Sequence, residues 1–556
     1  MKKNAQEFFE QKTKRIGQET GTAEKRIFDR SYMSELSEKV GRGEIKKVHI
    51  TGVCGKATSS LAGLFAEEGY DISGSDVGCY PPASDLINKL NIKFYEGFSK
   101  EHVKDKDLTI VANMFGPDNE EGAYVRENNL PQLSMSEAIA EFFIKDKTSI
   151  VICGTHGKTT TTGLCAHVFL SAGLNPGFLV GGVAVPTSNG IQETSFSSGA
   201  VRQNEQGIKD TTSDLAPQIE SKHFIIEGDE YDTAYFDKSP KFLHYKPKVA
   251  VVTSLEFDHA DIYSDFEEYK KSFIFLAEET ASAENGGVLV LNGDSQDVRE
   301  LSKFTEADVL YYGFDSTNDV TAKDIVVDDK GQVFTLVYKG NELGRLSIRL
   351  FGKYNLANTL AVIAIALNQN LSFEQICDGL ATFNGMKRRQ EIVATVNEIT
   401  IIDDFAHHPT AVRETLAGIR EHFPSNRIFA IFEPRSNTSR KKMFEHEYAH
   451  AFVSVDGLVL SMPELRHNDT PSDFIDGNVV VDESIKNYKK VPRNKGENGE
   501  ENRESKEFYA VCVANGHQVI EKIAAIATPG DVLVIMSNGS FDGIHQKLIA
   551  VLEALS

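Results

Sequence analysis

The amino-acid sequence predicts an α/β protein made of three α/β blocks with parallel sheets. Short apolar segments such as KVHITGV (47–53), SIVICG (149–154) and TIIDDF (400–405) are separated by amphipathic helical patterns. Apolar strands that alternate with helices are typical of βαβ units, in which helices cover both faces of a parallel sheet. The length agrees, because 556 residues correspond to roughly three or four domains of about 100–200 residues each.

The predicted elements of the first two blocks follow one another in a regular order. A polar, helical extension (1–46) precedes KVHITGV, which is followed by a helix from about Ala57 to Glu68 and by the strand YDISGSD, which ends at Asp76. The remaining predicted strands of these blocks are LTIVAN (108–113), SIVICG, HFIIEGD (223–229), VAVVTSL (249–255) and GVLVLN (287–292).

The stretch 309–350 departs from this alternation, because it lacks helical periodicity and contains D-K-G and K-G-N turns. It predicts antiparallel hairpins at one edge of the middle block. The alternation resumes from Thr400 with TIIDDF, RIFAIFEP, GLVLSM, YAVCVAN and DVLVIMSNG.

The joints between blocks are predicted near residue 147 and near Gly385. After the extension at 1–46, the expected domains are therefore 47–146, 147–386 and 387–556. The polar, apolar-poor segments 194–218 and 484–507 are interpreted as surface insertions.

The charge balance, the apolar segments and the cysteine content of the chain exclude several classes of protein. The chain has 59 Lys and Arg against 81 Asp and Glu, a net charge of −22, which argues against non-specific binding to nucleic acid or to anionic membranes. The sequence has no signal peptide and no long uncharged apolar run, so we expect a cytoplasmic protein. Six cysteines are too sparse for a disulfide framework. Cys54 and Cys79 fall in predicted loops, where a reactive thiol is the less favoured interpretation.

The strongest local motif is GTHGKTTTT (154–162), between an apolar strand and a helix. In such a turn, backbone N–H groups and the helix N-terminus bind phosphate oxygens. Lys158 is placed to contact the terminal phosphates and Thr159 to ligate Mg²⁺. The motif is shorter than G-x-x-x-x-G-K-[ST], because Ile152 stands at the position of the first glycine.

Acidic residues follow two of the predicted strands. Glu227, Asp229, Glu230 and Asp232 come after one strand, and LEFDHAD supplies Glu256, Asp258, His259 and Asp261 after the next. The carboxyl ends of parallel strands lie side by side, and oxygen ligands with one imidazole suit Mg²⁺ bound to phosphates. Alone, such a cluster is more often a solvated loop, but its position beside a phosphate loop favours a metal site.

A second glycine turn, GVCGKA (52–57), precedes Asp76 by 24 residues. A glycine turn, a helix and then an acidic strand end resemble a dinucleotide fingerprint. Because the G-x-G-x-x-G pattern is incomplete, a nucleotide diphosphate is better supported than NAD.

Six motifs together resemble the Mur ligases, ATP-dependent amide-forming enzymes of peptidoglycan synthesis. They are GTHGKTTTT, EGDEYD, LEFDHAD, GKYNLANTLA, GMKRR and DDFAHHPTA, within a resemblance from about Val48 to Leu552. The resemblance implies a Rossmann-like UDP-binding domain, a P-loop ATPase-like central domain and a Rossmann-like C-terminal domain.

Three longer segments, YDTAYFDKSPKFLHYKP, FEPRSNT and SNGSFDGIHQKL, resemble one subgroup of that family. This subgroup joins UDP-N-acetylmuramate to the murein tripeptide L-alanyl-γ-D-glutamyl-meso-diaminopimelate during wall recycling, through an acyl phosphate formed with ATP and Mg²⁺. Two alternatives stay open: a ligase that adds L-alanine to the same UDP-sugar, and a P-loop nucleotide-binding module without ligase activity. The sequence does not predict an oligomeric state.

The resemblance also implies a role for individual residues. The catalytic group is Lys158, His156, Glu227 and His259, and the metal ligands are Thr159, Glu227 and His259. ATP would contact Gly154, Thr155, Gly157, Lys158, Thr159, Thr160, Asn355, Asn358, Arg389 and Asp404. The UDP-sugar would contact Gly52, Gly55, Ser75, Asp76, Asn113, Gly181 and Gly182. The peptide would contact His407, His408, Arg435, Ser436, Asn437, Ser537 and Asn538.

Two positions differ from the family pattern: Tyr354 replaces a histidine before the two asparagines, and Lys56 replaces a small or uncharged residue. The Lys56 difference puts the expected diphosphate contact in doubt. Without the motif, His407 and His408 are typical of exposed, inert loop residues, and Arg435 is as typical of a surface ion pair as of a carboxylate-binding group.

Overall fold

The computed structural model describes residues 32–188, 190–200, 221–259, 262–328, 330–462, 465, 469–489 and 508–554. The described elements form three sheets that follow one another along the chain, with a short hairpin beside the second. Helix α1 (Tyr32–Gly41) lies within the predicted extension and precedes the first sheet.

The first sheet has five parallel strands in the order β3-β2-β1-β4-β5. Its strands are β1 (Lys47–Thr51), β2 (Asp71–Asp76), β3 (Lys93–Glu96), β4 (Leu108–Val111) and β5 (Gln132–Ser134). Its helices are α2 (Lys56–Glu67), α3 (Ala83–Lys89), α4 (Glu120–Glu127) and α5 (Met135–Ile139). The interiors of β1, β2, β4 and β5 are buried, as expected for a sheet covered on both faces, whereas the edge strand β3 is partly exposed.

The second sheet has ten strands in the order β17-β16-β15-β14-β13-β12-β6-β9-β7-β8. Its strands are β6 (Thr148–Cys153), β7 (Gly177–Leu179), β8 (Phe196–Ser197), β9 (His223–Gly228), β12 (Val249–Val252), β13 (Val288–Asn292), β14 (Asp308–Gly313), β15 (Val320–Asp328), β16 (Gly331–Tyr338) and β17 (Asn341–Ile348). The hairpin strands are β10 (Asp232–Ala234) and β11 (Asp237–Pro240). The helices are α6 (Lys158–Ser171), α7 (Phe266–Glu279), α8 (Gln296–Arg299), α9 (Lys353–Asn368) and α10 (Phe373–Thr382).

The third sheet has six strands in the order β18-β19-β23-β20-β21-β22, parallel except for β18. Its strands are β18 (Glu391–Val396), β19 (Ile399–Asp404), β20 (Ile428–Glu433), β21 (Gly457–Ser461), β22 (Tyr509–Val513) and β23 (Val532–Ser537). Its helices are α11 (Pro409–His422), α12 (Glu445–Ala451), α13 (Gly477–Tyr488), α14 (Gly516–Ile526) and α15 (Ile544–Ala554).

The region 309–350 is only partly as predicted. Strands β15, β16 and β17 form the expected antiparallel hairpins at one edge. Strand β14, however, is parallel to both β13 and β15 and extends the central sheet. Its sequence, DVLYYG, contains no signal that separates a parallel strand from a hairpin strand.

The predicted insertion at 194–218 is wrong over its described part. Phe196 is buried and lies against Gly63 of α2, where an added Cβ would be 2.2 Å from the ring. The Ser198 amide also donates to Glu67 Oε2 at 2.8 Å. This segment therefore packs the central domain against the first domain, while residues 201–218 lie outside the described range.

The second predicted insertion, 484–507, begins too early. Ser484 and Asn487 are buried on α13, and the Asn487 amide donates to Ala449 O at 3.1 Å. Residues 490–507 are outside the described range. Within the described part of the chain, every helix is too short or too polar to cross a lipid bilayer.

Candidate active site

A cavity of about 2330 Å³ lies where the three sheets face one another. Side chains from all three predicted domains line it, including Lys56, Lys158, Glu227, Arg389 and Arg435. Every parallel βα turn that reaches this cavity lies at the carboxyl end of its strand, which is the edge of α/β sheets where ligands bind.

The central turn runs from β6 into α6. Gly154 (φ 128°) and Gly157 (φ 85°) have left-handed backbones, and a Cβ at Gly157 would lie 2.5 Å from Asn358 Oδ1. The motif therefore requires glycine both for conformation and for close approach to α9. Thr155 joins the turn to the loop after β12, since its hydroxyl donates to Glu256 O at 2.9 Å and accepts from the Glu256 amide at 2.9 Å.

Lys158 is held by a carboxylate in this structure. Its ammonium lies 3.0 Å from Glu230 Oε2 and 3.2 Å from Glu230 Oε1, and it donates to Gly154 O at 2.5 Å. Burial disfavours the charged form, but the negative charges of Glu230 and Asp229 and the hydrogen bond to Glu230 together outweigh it and raise the pKa of Lys158. Burial likewise opposes ionisation of Glu230, and the charge of Lys158 still lowers the pKa of that carboxyl.

Glu227 and Thr159 lie together on the other side of the turn. The Thr159 hydroxyl is 3.2 Å from Glu227 Oε2 and 3.2 Å from Arg389 Nη2, and the Gly181 amide donates to Glu227 Oε1 at 2.5 Å. A Cβ at Gly181 would lie 2.9 Å from Glu227 Oε2, so this position favours glycine. Burial, reinforced by the charge of Asp229, raises the pKa of Glu227.

His259 is predicted to ligate a metal together with Thr159 and Glu227, and in this structure it contacts the carboxylate of Glu230. Its Nε2 lies 3.3 Å from Glu230 Oε1, and the structure does not bring it into the Thr159–Glu227 pair. Burial alone would lower the pKa of His259, but its hydrogen bond and attraction to Glu230 raise it. Two of the three predicted metal ligands are therefore adjacent, and the third is joined to them through Glu230 and Lys158.

The predicted adenine-side residues meet where α9 approaches the third domain. Asn355 Nδ2 donates to Gln390 Oε1 at 2.9 Å, and Asn358 Nδ2 lies 3.4 Å from Asn355 Oδ1. Asp404 accepts from the Gln390 amide at 2.8 Å. Asn358 and Asp404 line the cavity, whereas Asn355 is buried behind them. Burial raises the pKa of Asp404.

The first-domain turn, from β1 to α2, contains an unexpected disulfide between Cys54 and Cys79. The sequence does not predict this pairing, because six cysteines are too sparse to indicate a disulfide framework. The two residues are 25 apart in sequence, which spacing alone could not pair. Asp76 supports the same turn, because its Oδ2 accepts from the Cys54 amide at 3.1 Å.

Several residues predicted to contact the UDP-sugar lie away from the cavity. The Ser75 hydroxyl is completely buried and donates to Glu121 Oε2 at 2.6 Å, so the structure does not place it in the cavity lining. Asn113 Nδ2 donates to Asp232 O at 3.3 Å across the domain boundary. A Cβ at Gly52 would lie 2.3 Å from the Phe115 ring. Gly55, like these residues, is absent from the cavity lining, whereas Gly181 and Gly182 are part of it.

Lys56 projects into the cavity instead. Its ammonium lies 6.0 Å from the centre of the Phe405 ring, which the guanidinium groups of Arg388 and Arg389 also approach, at 5.1 and 4.8 Å. Burial, which disfavours the charged form, and the positive charge of Arg389 lower the pKa of Lys56. The cavity thus receives a cation from the first domain close to the Thr159–Glu227 pair.

The third domain contributes a polar wall. Arg435 lies 3.5 Å from Glu433 Oε1, and with Ser436, Asn437 and Asn538 it lines the cavity. Ser537 does not line it, because its buried hydroxyl donates to Glu433 Oε2 at 2.6 Å. Its predicted peptide contact stays a prediction, and in this structure its hydroxyl orients Glu433.

The two adjacent histidines differ. His407 Nδ1 donates to Phe405 O at 2.9 Å, and its backbone carbonyl accepts from the Tyr448 hydroxyl. His408 lies at the N-terminus of α11, with its ring 4.7 Å from the ring of His156. Burial lowers the pKa of His407, and burial with nearby His156 lowers the pKa of His408 to about 4.

Sequence reasoning missed the individual roles of Glu230 and Glu256. Both belong to the predicted acidic cluster, but Glu230 is the direct partner of Lys158, and Glu256 lies between His156 and His408. Glu230 follows the strand by two residues, and a position count cannot tell which acid of EGDEYD turns back toward the lysine.

Three successive parts of the chain match known protein families. Family models described as "Mur ligase family, catalytic domain", "Mur ligase middle domain" and "Mur ligase, glutamate ligase domain" match residues 47–147, 152–366 and 388–539. Together they confirm the predicted three-domain Mur ligase architecture. The limits predicted from sequence, at 146/147 and 386/387, stay predictions.

Two curated relatives and one solved structure cover most of the chain. The UDP-N-acetylmuramate–L-alanyl-γ-D-glutamyl-meso-2,6-diaminoheptandioate ligase of Haemophilus influenzae is 31% identical over 519 residues, covering 92% of this chain and 100% of the relative. The UDP-N-acetylmuramate–L-alanine ligase of Clostridium novyi is 32% identical over 419 residues, covering 75% of this chain and 82% of the relative. The crystal structure of a murein peptide ligase from Psychrobacter arcticus 273-4 has a TM-score of 0.62 at 28% identity, covering 91% of this chain and 99% of that chain. The chain therefore belongs to the Mur ligase family.

Proposed function

We propose that this protein is an ATP-dependent, ADP-forming carbon–nitrogen ligase. It joins UDP-N-acetylmuramate to L-alanyl-γ-D-glutamyl-meso-diaminopimelate through an acyl phosphate. The observation that carries the proposal is the single cavity shared by the phosphate turn, the Glu227 carboxylate and the polar wall around Arg435. Such a cavity allows three substrates to meet, and the Haemophilus relative that carries this activity in its name is matched over its whole length.

Phosphoryl transfer from ATP depends mainly on positioning and charge neutralisation. The N-terminus of α6 and the ammonium of Lys158 face the cavity at one point. When the triphosphate enters, its oxygens compete with Glu230 for the lysine. Arg389, which reaches Thr159 from the third domain, adds a second positive charge beside the phosphate turn.

The Thr159–Glu227 pair fits a Mg²⁺ ion, because a hydroxyl and a carboxylate oxygen 3.2 Å apart are ligands of the kind the ion prefers. Bound there, Mg²⁺ would neutralise charge on the phosphate oxygens. Thr159, Glu227 and His259 remain the proposed ligand set. His259 must leave Glu230 to join it, since the two are in contact here.

The lactyl carboxylate of the UDP-sugar attacks the γ-phosphorus, which breaks the bond to the β-phosphate oxygen, releases ADP and forms the acyl phosphate. The L-alanyl amine of the tripeptide then attacks the acyl carbon, loses a proton and displaces inorganic phosphate. The residues of this chain orient both groups and exclude water from the intermediate. Arg435 is proposed to bind a carboxylate of the peptide. Its guanidinium has only a 3.5 Å contact with Glu433, so it can turn toward a ligand.

The alternative amine is free L-alanine, the substrate in the name of the Clostridium relative. The tripeptide offers three carboxylates, whereas alanine offers one. With alanine, Arg435 would keep its 3.5 Å contact with Glu433 and gain no carboxylate, and Asn538 would stay unpaired, where a buried unpaired polar group costs roughly 1–3 kcal/mol. Asn538 Oδ1 is already buried without a hydrogen-bond partner among the described residues, which favours the larger amine. A nucleotide-binding module without ligase activity would not require this wall.

The test is ADP release with ATP, Mg²⁺, UDP-N-acetylmuramate and either tripeptide or L-alanine. We expect far better use of the tripeptide, and comparable turnover with alanine would reject the proposal. Arg435→Ala is expected to raise the KM for tripeptide more than the KM for ATP. Arg413→Ala is the matched control, because Arg413 is exposed on α11 and pairs only with its neighbour Glu414.

Two properties belong to the same proposal. ATP and a UDP-sugar are small-molecule partners found in the cytoplasm, which is where we place the protein. The net charge of −22 supports a protein that binds neither nucleic acid nor anionic membranes.

A further inference from the structure

A second cluster of metal-binding side chains lies in the cavity, beside the phosphate turn. It consists of His156 from the turn, Glu256 from the loop after β12, and His408 from the start of α11. His156 Nε2 is 3.5 Å from Glu256 Oε2, and His408 Nδ1 is 3.7 Å from the same oxygen. The three ligand atoms all lie within 4.8 Å of one another.

The ring nitrogens of this cluster are unsatisfied. His156 Nε2, His408 Nδ1 and His408 Nε2 are buried and have no hydrogen-bond partner among the described residues. The His408 side chain is only 9% exposed. A buried polar atom without a partner costs free energy, and each such atom in a native structure calls for a ligand, a water or an ion.

The rings are also fixed in place, which a metal site requires. The His156 amide donates to Ser254 Oγ at 2.8 Å, and the His156 carbonyl accepts from Thr253 Oγ1 at 2.5 Å. The His408 ring packs edge-on against Phe444, with centroids 5.3 Å apart. None of these contacts uses the nitrogens that face Glu256.

We propose that His156, Glu256 and His408 form a binding site for a divalent transition-metal ion of the Zn²⁺ or Co²⁺ type. Such ions bind imidazole nitrogen and carboxylate oxygen at about 2.0–2.2 Å in tetrahedral geometry, so neighbouring ligand atoms are about 3.3–3.5 Å apart. The separations of 3.5 and 3.7 Å from Glu256 Oε2 are within a few tenths of an ångström of these values. The two imidazole nitrogens lie within 4.8 Å of each other and move closer together when the ion binds. A fourth position remains for a water or a substrate oxygen.

This site differs in chemistry from the proposed magnesium site. Two imidazoles and one carboxylate favour transition metals, whereas Mg²⁺ prefers oxygen ligands such as those of Thr159 and Glu227. It also differs in connectivity, because His156 and Glu256 come from the central domain and His408 from the third domain. An ion bound there links the phosphate turn directly to α11.

The test is a titration of the chelator-treated full-length protein with Co²⁺, followed by visible absorption and by displacement with Zn²⁺. We expect one ion per chain with the intense bands of tetrahedral Co²⁺. His408→Gln and Glu256→Gln are expected to weaken binding at least ~10-fold, since even loss of an outer partner costs about 10–100-fold.

The controls separate this site from its neighbours. Glu227→Gln removes the magnesium-site carboxylate, and His407→Gln removes the adjacent imidazole, so both variants are expected to retain the Co²⁺ spectrum. Circular dichroism melting curves verify that each variant folds. The proposal is overturned if the wild type takes up no Co²⁺ at millimolar concentration, if His408→Gln binds Co²⁺ normally, or if Glu227→Gln abolishes the spectrum. None of these readouts depends on ligase activity.

Discussion

The molecule contains two turns with the same spacing, G-V-C-G-K (52–56) and G-T-H-G-K (154–158). Both follow the central strand of a parallel arrangement and place a lysine at the first position of a helix. In the second turn, Lys158 is held by Glu230 at 3.0 Å. In the first, Lys56 faces the open cavity, near the Phe405 ring at 6.0 Å.

The difference arises from the neighbouring strands. Strand β2 ends at Asp76, which accepts the Cys54 and Val77 amides and so stabilises the backbone of the first turn. Strand β9 is followed by Glu230, which reaches the lysine itself. A glycine turn therefore determines a backbone shape, and the acids of the adjacent strand determine what its lysine does.

The largest expected effect comes from Lys158→Ala. It removes the cation at the phosphate turn while the glycines keep the backbone shape, and loss of such a stabiliser typically costs about 10²–10³ in kcat. The measurement is ADP release, with urea unfolding to establish that stability is retained. Near-normal turnover would mean that the two lysines do not differ as the structure implies.

The second effect concerns the covalent support of the first turn. Cys79→Ser opens a loop of 25 residues, and a closed loop of this size stabilises by typically 2–4 kcal/mol in chain-entropy estimates. The free energy of unfolding of the oxidised protein should fall accordingly. A reducing agent should destabilise the wild type and leave Cys79→Ser unchanged, and equal sensitivity of the two proteins would contradict the pairing.

A third effect tests the charge buried beneath the first turn. Glu121 accepts from Thr51 at 2.7 Å, from Ser75 at 2.6 Å and from His102 at 2.8 Å. Burial would raise its pKa, but interactions with His49 and the two hydroxyls lower it from 4.5 to about 2.

Because the folded pKa is below the ordinary value, Glu121 stabilises the protein above about pH 4.5, and this stabilisation is lost as the pH falls toward about 2. Glu121→Gln should reduce stability near neutral pH by about 1–3 kcal/mol and flatten this acid dependence. Melting temperatures of both proteins across that pH range provide the measurement. An unchanged acid slope in the variant would assign it to other carboxylates.

The smallest effect is expected for Lys56→Ala. A cation at a solvent-exposed aromatic ring contributes about 0.5–1 kcal/mol, so we expect a several-fold rise in the KM for the UDP-sugar with kcat nearly unchanged. Lys56→Arg, which keeps the charge, should restore the KM. A loss of kcat as large as that of Lys158→Ala would give both turns the same function.

The sequence predicts the scaffold better than the side-chain partners. Strands such as SIVICG and VAVVTSL are apolar throughout because both faces are buried, so their positions and parallel pairing could be predicted. The phosphate turn could be predicted because its glycines and lysine are contiguous. The contact between His259 and Glu230 could not, since it depends on how two loops fold over the sheet edge.

Packing between domains could not be predicted from the sequence either. Segment 194–200 is polar in composition, yet Phe196 packs it against α2, with hydrogen bonds of Ser195 and Ser198 beside it, and composition averages out a single aromatic residue. The buried partner of the Ser75 side chain could not be predicted for a related reason. Alternation along a strand does not tell which polar residue serves a buried partner such as Glu121.

The pairing of Lys158 with Glu230 has a consequence for ligand selectivity. The carboxylate occupies the lysine before any substrate arrives, as an intramolecular competitor whose effective concentration is fixed by the fold. A singly charged anion such as acetate or chloride gains nothing by replacing it, since it offers the lysine no more charge than Glu230 does. A triphosphate carries several charges and also binds the amides of the turn, so it can displace the carboxylate. The pairing thus lets the phosphate turn discriminate against small, singly charged anions in favour of a triphosphate.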